Sequence, residues 1–150
     1  MTGEEYLELG LAYIREKNWE SALNTLLESQ NRFSNRAEEE LPPLLLSSLG
    51  LVYAMARNNV SNGLAYCQKA LSVNALHPDV HYHLGLVYLK IGDKKKALSA
   101  FQKALRLSPR HTGVSSQLTQ LGVRKKPVIS FLPRNHFLNK YIGIWFINEH

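Results

Sequence analysis

The chain has 150 residues, a net charge of +6 at pH 7 and a single cysteine, Cys67. One cysteine excludes an intramolecular disulfide, and we expect Cys67 to be a small core side chain and not a reactive thiol. No apolar run approaches the length of about 18 residues that a membrane span needs, and the N-terminus has neither the basic nor the apolar segment of a secretory signal. These features predict a cytoplasmic protein, with peripheral binding to a membrane surface as the alternative.

A five-residue pattern recurs along the chain. The sequence LGLVY stands at 49–53 and again at 84–88, and LGLAY stands at 9–13. A period of about 35 residues is typical of stacked helix pairs, in which each pair buries its apolar face against its neighbours. The pattern therefore predicts an all-α array with one helix pair for each copy.

Local signals predict the first helix pair. Thr2 followed by Glu5 has the spacing of a capping box, which opens a helix that we expect to reach about Glu16. Its partner, from about residue 19 to 31, places four apolar side chains on one face. The polar stretch 32–41 that follows predicts a longer loop or an extended helix end.

Two prolines mark the start of the next pair. Pro42 and Pro43 suit the first helical turn, because the N–H that proline lacks has no partner there in any case. That helix is expected to end near Ala56. The remaining helices are predicted near 60–73, 78–91, 94–107 and 112–121, the last as a cap over the final pair.

The third copy has the most complete set of spacings. Small, aromatic and proline residues follow one another there at fixed intervals, as Leu84, Gly85, Tyr88, Ala97, Phe101, Ala104 and Pro109. With these residues the chain resembles the tetratricopeptide repeat family. The resemblance implies a right-handed superhelical solenoid of antiparallel helix pairs over residues 1–122, with repeats at about 3–36, 43–76 and 78–111, a capping helix at 112–121 and a tail at 123–150.

The middle copy departs most from the family pattern. Gly63 replaces an alanine, Cys67 replaces an aromatic residue and Ala75 replaces the closing proline. We therefore expect looser packing in this copy than in the third. Its spacing also predicts one extra residue in the turn around Arg57 to Ser61.

The resemblance also implies a binding surface. In this family the first helix of each pair lines a concave groove that holds a peptide. Carried onto this sequence, the lining residues are Leu7, Leu11, Ile14, Leu44, Ser48, Leu51, Met55, Tyr82, His83, Leu86 and Leu89. For Leu51 and Leu86, the core and the groove are equally open alternatives. Since most of these residues are apolar, we expect an apolar peptide segment as the ligand.

A terminal carboxylate is not the expected ligand. Chaperone-binding members of the family hold such a group with Lys, Asn and Arg side chains. The corresponding positions of this chain hold Leu7, Leu11, Ser48, Asp79 and His83. This substitution argues against a carboxylate clamp.

No set of residues predicts catalysis, a cofactor or a metal site. His77 and His81 have the i, i+4 spacing of a metal pair on a helix, but Pro78 places His77 outside the helix, and only Asp79 is near as a third ligand. No nucleophile has a partnered base, and no glycine-rich phosphate loop is present. We therefore expect a protein that is not an enzyme.

The tail combines a basic start with many apolar residues. Arg124 to Lys126 precede eleven apolar side chains within residues 128–146. Three placements are open: the tail docks on its own array, it inserts into a second copy, or it lies on an anionic membrane. We favour the first, because Pro127 and Pro133 suit an extended path along a surface.

Charge is unevenly distributed. Residues 1–40 carry nine acidic and four basic groups, whereas residues 41–150 carry three acidic and fourteen basic groups. A solvated surface, an acidic partner, an anionic membrane or head-to-tail self-association would each be compatible with this pattern. A specific nucleic-acid ligand is not expected, because no recognisable binding module combines the basic groups with exposed aromatic residues.

The sequence as a whole predicts a non-enzymatic adaptor or scaffold that binds another protein or peptide. The apolar groove would hold an apolar peptide or helix. Two alternatives are a membrane-associated assembly factor that uses the tail, and a small chaperone for a secreted or aggregation-prone client.

Overall fold

A computed structural model gives the fold of this chain and describes residues 1–33 and 41–122. Within these ranges the regular structure is helical throughout, with no strand, which confirms the all-α prediction. The helices are α1 (Gly3–Arg15), α2 (Trp19–Arg32), α3 (Pro43–Ala56), α4 (Val60–Val73), α5 (Pro78–Ile91), α6 (Lys94–Leu107) and α7 (Thr112–Gln120). Short turns join α1 to α2, α3 to α4 and α5 to α6, so each of these pairs is antiparallel.

The chain divides into two units, Met1–Gln117 and Leu118–His150. The first holds the three helix pairs and the start of α7, and the described part of the second is limited to Leu118–Gly122. The predicted tail at 123–150, with its three alternative placements, lies outside the described residues. None of the helices in the described ranges has the length and apolar character to cross a membrane.

The turn inside each helix pair has the same backbone design. One residue adopts a left-handed conformation, with φ of 58° at Lys17, 52° at Asn58 and 86° at Gly92. The next N–H then donates to the carbonyl of the repeat's tyrosine, as Asn18 to Tyr13 at 2.9 Å, Asn59 to Tyr53 at 3.1 Å and Asp93 to Tyr88 at 3.0 Å. The segment between the tyrosine and the donating residue is one residue longer in the middle turn, from Tyr53 to Asn59, than in the other two turns. The repeat spacing predicts this extra residue.

The residue after each left-handed position caps the second helix of the pair. The Asn18 side chain accepts the Ser21 N–H at 3.3 Å, and the Asn59 side chain accepts the Asn62 N–H at 3.1 Å. Asp93 accepts the Lys96 N–H at 3.0 Å, and this hydrogen bond lowers the pKa of Asp93. Each cap satisfies a backbone donor that the first helical turn leaves unpaired.

The two helices of the middle pair meet at two glycines. A Cβ atom added to Gly50 would lie 2.6 Å from the carbonyl oxygen of Gly63, and one added to Gly63 would lie 2.8 Å from the Gly50 oxygen. In the first and third pairs the nearest atoms to the corresponding Gly10 and Gly85 belong to side chains. The expectation of looser packing in the middle copy was therefore wrong, because Gly63 in place of alanine lets the two backbones touch.

Helix α3 forms the centre of the core. It contacts the helices of the first pair, its own partner α4 and α5, and nine of its fourteen residues are buried. Its apolar residues accordingly point in all directions instead of forming one stripe. Cys67 of α4 packs against it with no exposed surface, and burial raises the pKa of this thiol to about 12. Cys67 is thus a core residue, as expected.

Candidate functional site

A cleft of about 750 Å³ lies between α1, α3, α5 and the start of α7 within the first unit. Its apolar lining is contributed mainly by the first helix of each pair, as Leu11, Ile14, Trp19, Leu44, Met55, Leu86 and Leu89. These side chains are all partly buried, in contrast to the fully enclosed residues of the core. The array therefore leaves an apolar surface open to solvent on one face of its first helices.

The predicted groove residues fall into two groups. Eight of them line the cleft, namely Leu11, Ile14, Leu44, Met55, Tyr82, His83, Leu86 and Leu89. The other three, Leu7, Ser48 and Leu51, lie outside its lining and are at most 7% exposed. Leu51 packs with Ala54, so of its two open alternatives the structure shows the core.

Several lining residues come from positions that the sequence interpretation did not consider. Arg15 and Lys17 stand at the end of α1, Trp19 begins α2, and Lys90 lies in the last turn of α5. The start of α7 adds His111, Thr112, Gly113 and Gln117. The family rule concerned only the faces of the first helices, so it missed the turn residues and the capping helix that close the ends of the cleft.

The cleft has two chemically different ends. In an array of antiparallel pairs, α1, α3 and α5 run in the same direction, so their C-terminal ends share one edge and their N-terminal ends share the other. Arg15, Lys17 and Lys90 lie at the C-terminal edge. Asp79 and His111 lie at the N-terminal edge. We call the edge with Arg15, Lys17 and Lys90 the basic end of the cleft, and the edge with Asp79 and His111 the acceptor end.

Hydrogen bonds fix the side chains of the acceptor end. The Val114 N–H donates to Nδ1 of His111 at 3.2 Å, so the ring proton is on Nε2, which donates to Oδ1 of Asp79 at 2.9 Å. The ring of Tyr82 lies against His111, with 4.9 Å between centroids. Burial, and then the charge of Asp79, raise the pKa of Tyr82, so its hydroxyl stays protonated.

His83 is a buried polar group in this otherwise apolar lining. The Ser47 hydroxyl donates to the Leu44 carbonyl at 3.2 Å, so its oxygen accepts a hydrogen bond from the Nδ1–H of His83, 2.9 Å away. In this arrangement Nδ1 carries the ring proton and Nε2 of His83 is the acceptor of the ring. Burial lowers the pKa of His83 to about 4, which keeps the ring neutral near pH 7.

The histidines near the start of α5 do not form a metal site. His77 precedes the helix, as Pro78 implied, and Nε2 of His81 lies 2.8 Å from the Ala75 carbonyl oxygen. Among the described residues, no group of three or more His, Cys, Asp or Glu side chains could hold a metal ion.

Comparison with known proteins identifies the repeat. Residues 78–111 match the family model of the tetratricopeptide repeat, and these residues form α5 and α6. Residues 78–111 are therefore a tetratricopeptide repeat. No curated protein matches the sequence of this chain significantly.

Solved structures of repeat domains share the fold of this chain. The first repeat domain of Spaghetti (RPAP3) bound to an HSP90 peptide has a TM-score of 0.57 at 13% identity, over 81% of this chain and 90% of that one. The Sgt2 repeat domain from Aspergillus fumigatus gives 0.59 at 15% identity, over 89% and 87%. PcrH in complex with the chaperone-binding region of PopB gives 0.55 at 17% identity, over 79% and 93%. At these identities the likeness shows the helical-repeat fold.

Proposed function

We propose that this tetratricopeptide repeat protein is a non-enzymatic adaptor that binds an apolar peptide or helix of another protein in the cleft. The observation that carries the proposal is the row of partly exposed apolar side chains on the first helices, which includes Leu11, Leu86 and Leu89. Open apolar surfaces of this kind on a folded protein mark interaction sites. Covering them removes apolar area from water, which favours association.

Two related structures support a peptide as the ligand. The RPAP3 domain is bound to an HSP90 peptide, and PcrH is bound to the chaperone-binding region of PopB. Both share the helical-repeat fold with this chain. The carboxylate-clamp positions of this chain still hold Leu7, Leu11, Ser48, Asp79 and His83, so the proposed ligand is recognised through its apolar face and not through a chain terminus.

Affinity capture with three forms of the full chain tests the proposal. The cleft variant is Leu11→Asp with Leu86→Asp, which places two carboxylates among the apolar lining residues. Leu51→Asp is unsuitable, because that side chain is fully enclosed and the change would unfold the array. The matched control is Leu76→Asp with Leu107→Asp, since these leucines are 75% and 37% exposed and lie outside the cleft.

We expect a partner that is retained by the wild type and the control and lost by the cleft variant. With the purified partner, the cleft variant should bind at least about tenfold more weakly, which corresponds to about 1.4 kcal/mol. Circular dichroism must show equal helicity for all three forms. Equal retention of every partner by the folded cleft variant would contradict the proposal.

A further inference from the structure

The cations at the basic end have no acidic partner in the described part of the chain. Arg15, Lys17 and Lys90 are exposed, and none of them forms an ion pair with a described residue. Other basic residues do have partners, as in Arg32 with Glu28 at 3.0 Å, Arg57 with Glu20 at 3.2 Å and Lys96 with Asp93 at 3.5 Å. The positive charges that line the cleft therefore have no ion-pair partner among the described residues, as is also true of Lys94, Lys95, Lys103, Arg106 and Arg110 outside the cleft.

The sequence around Lys90 does little to neutralise it, whereas residues 1–33, which include Arg15 and Lys17, also contain six glutamates. Residues 41–122 contain nine Lys or Arg residues and only two carboxylates, Asp79 and Asp93. Asp79 is at the opposite end of the cleft, and Asp93 is engaged by Lys96. The potential at the basic end therefore favours negative charge from a bound partner.

The acceptor end has the opposite preference. The Asp79 carboxylate is 43% exposed, with Oδ1 bonded to His111 and Oδ2 3.8 Å from Nδ1 of His77, and His83 lines the cleft beside it. A ligand that supplies a donor to the Asp79 carboxylate gains a charge-assisted hydrogen bond. His83 is neutral near pH 7, and it therefore does not repel a cationic donor.

We infer that the ligand of the cleft is an amphipathic peptide segment with a fixed orientation. Its acidic residues lie against Arg15, Lys17 and Lys90, its apolar side chains cover Leu11, Leu86 and their neighbours, and a Lys, Arg or amide donor reaches His83 and Asp79. The inference rests on the proposed function and adds the charge pattern and the direction of the ligand. The acidic contact is at the C-terminal ends of the first helices, away from the clamp positions.

The helix geometry sets the spacing of the two charged ends. Asp79 and Lys90 are eleven residues apart on α5, which corresponds to about 16 Å along the helix axis at about 1.5 Å per residue. A helical ligand would separate its donor and its acidic residues by about eleven positions, and an extended ligand by about five, at about 3.3 Å per residue.

Selection from a displayed library of random 16-residue peptides tests the inference on the immobilised full chain. The first comparison form is Arg15→Glu with Lys90→Glu, which reverses two charges of the basic end. Its matched control is Lys94→Glu with Lys95→Glu, which makes the same change in net charge at exposed positions outside the cleft lining. The second comparison form is the cleft variant Leu11→Asp with Leu86→Asp.

We expect the wild type and the Lys94/Lys95 control to select apolar peptides with Asp or Glu clustered at one end. The Arg15/Lys90 variant should select peptides without that cluster, or with basic residues in its place. The affinity of a selected peptide should fall at least about tenfold on charge reversal, and it should weaken as salt is raised.

Two synthetic peptides then test the direction. One is a selected sequence, and the other has the same apolar core with its acidic and donor ends exchanged; the first should bind at least about tenfold more tightly. This inference would be overturned if the selected peptides require the cleft but have no excess of acidic residues. It would also be overturned if the selected peptide and its exchanged form bind equally well. Either result leaves the proposed function intact. If the cleft variant binds every selected peptide as well as the wild type does, both this inference and the proposed function are overturned. If a synthetic peptide of residues 124–150 displaces the selected peptides, that segment is a competing occupant of the cleft, and the assignment to an acidic ligand is overturned.

Discussion

Gly92 shows how single residues fix the turns of the repeat. Its φ of 86° is left-handed, and a Cβ atom there would have no neighbour within 4 Å, so a substitution acts through backbone conformation and not through a clash. We predict that Gly92→Ala lowers the free energy of unfolding by about 1 kcal/mol. Gly92→Asn should cost less, because asparagine tolerates this conformation and Asn58 already adopts it in the middle turn. Urea unfolding of both variants measures the difference, and equal losses would contradict this explanation.

His83 makes stability depend on pH. Burial first lowers its pKa from 6.5 to about 4; Asp79 acts in the opposite direction, and His111 and His77 add to the lowering. Because the folded pKa is below the unfolded one, the stabilisation is complete above about pH 6.5 and is lost as the pH falls towards 4. The contribution of His83 to this loss is about 3 kcal/mol.

Denaturant unfolding of the wild type and His83→Asn at pH 7 and pH 4 measures that contribution. The asparagine can still donate to Ser47 but does not titrate. We predict that the wild type loses more stability than the variant over this range, whatever the other titrating groups contribute to both. Parallel losses would show that the pKa of His83 is the same in the folded and the unfolded protein, and would contradict this explanation.

At the scale of residues, the sequence predicts features that depend on near neighbours. The capping box of Thr2 and Glu5 forms as expected, with hydrogen bonds of 2.9 and 3.2 Å, because both partners lie within one helical turn. The exposure of Ser48 and Leu51 depends instead on the helices packed on both sides of α3. Helical spacing alone could not decide between core and groove for Leu51.

At the scale of helices, the close contact of Gly50 and Gly63 should be the least tolerant of added volume. Alanine at Gly50 would meet a backbone carbonyl at 2.6 Å, whereas alanine at Gly10 would meet the Leu26 side chain at 2.5 Å, and that side chain can change rotamer. We predict a loss of about 3 kcal/mol for Gly50→Ala and about 1 kcal/mol for Gly10→Ala, net of the better helix propensity of alanine. Thermal and urea unfolding of the two variants test the order. A larger loss at Gly10 would show that the backbone contact is not the limiting one.

The middle pair also shows why departures from a family pattern are hard to interpret. Each departure there was taken alone as a loss of fit. Gly63 and Gly50 act together, however, and their joint effect is a closer approach of α3 and α4. The helix boundaries were predictable because prolines, caps and apolar spacing are local, while the distance between two helices depends on pairs of residues far apart in sequence.

At the scale of the whole protein, the repeat spacing predicts the array, and the family resemblance implies a groove along the first helices of the pairs. The ends of the cleft were not predictable in the same way. Lys17 lines the cleft because it lies in a left-handed turn after α1. His111 lines the cleft because the start of α7 lies beside α5, where His111 bonds to Asp79. Both depend on tertiary placement, so a rule confined to helix faces misses the residues that give the cleft its direction.

Site-specific photo-crosslinking is the most direct test that the cleft binds the partner. A photoreactive phenylalanine analogue would replace Leu86 in the cleft, or Lys103 as an exposed position of α6 outside its lining. We predict that irradiation of the complex joins the partner to position 86 and not to position 103. Cross-linking from position 103 with none from position 86 would contradict the central claim of this account.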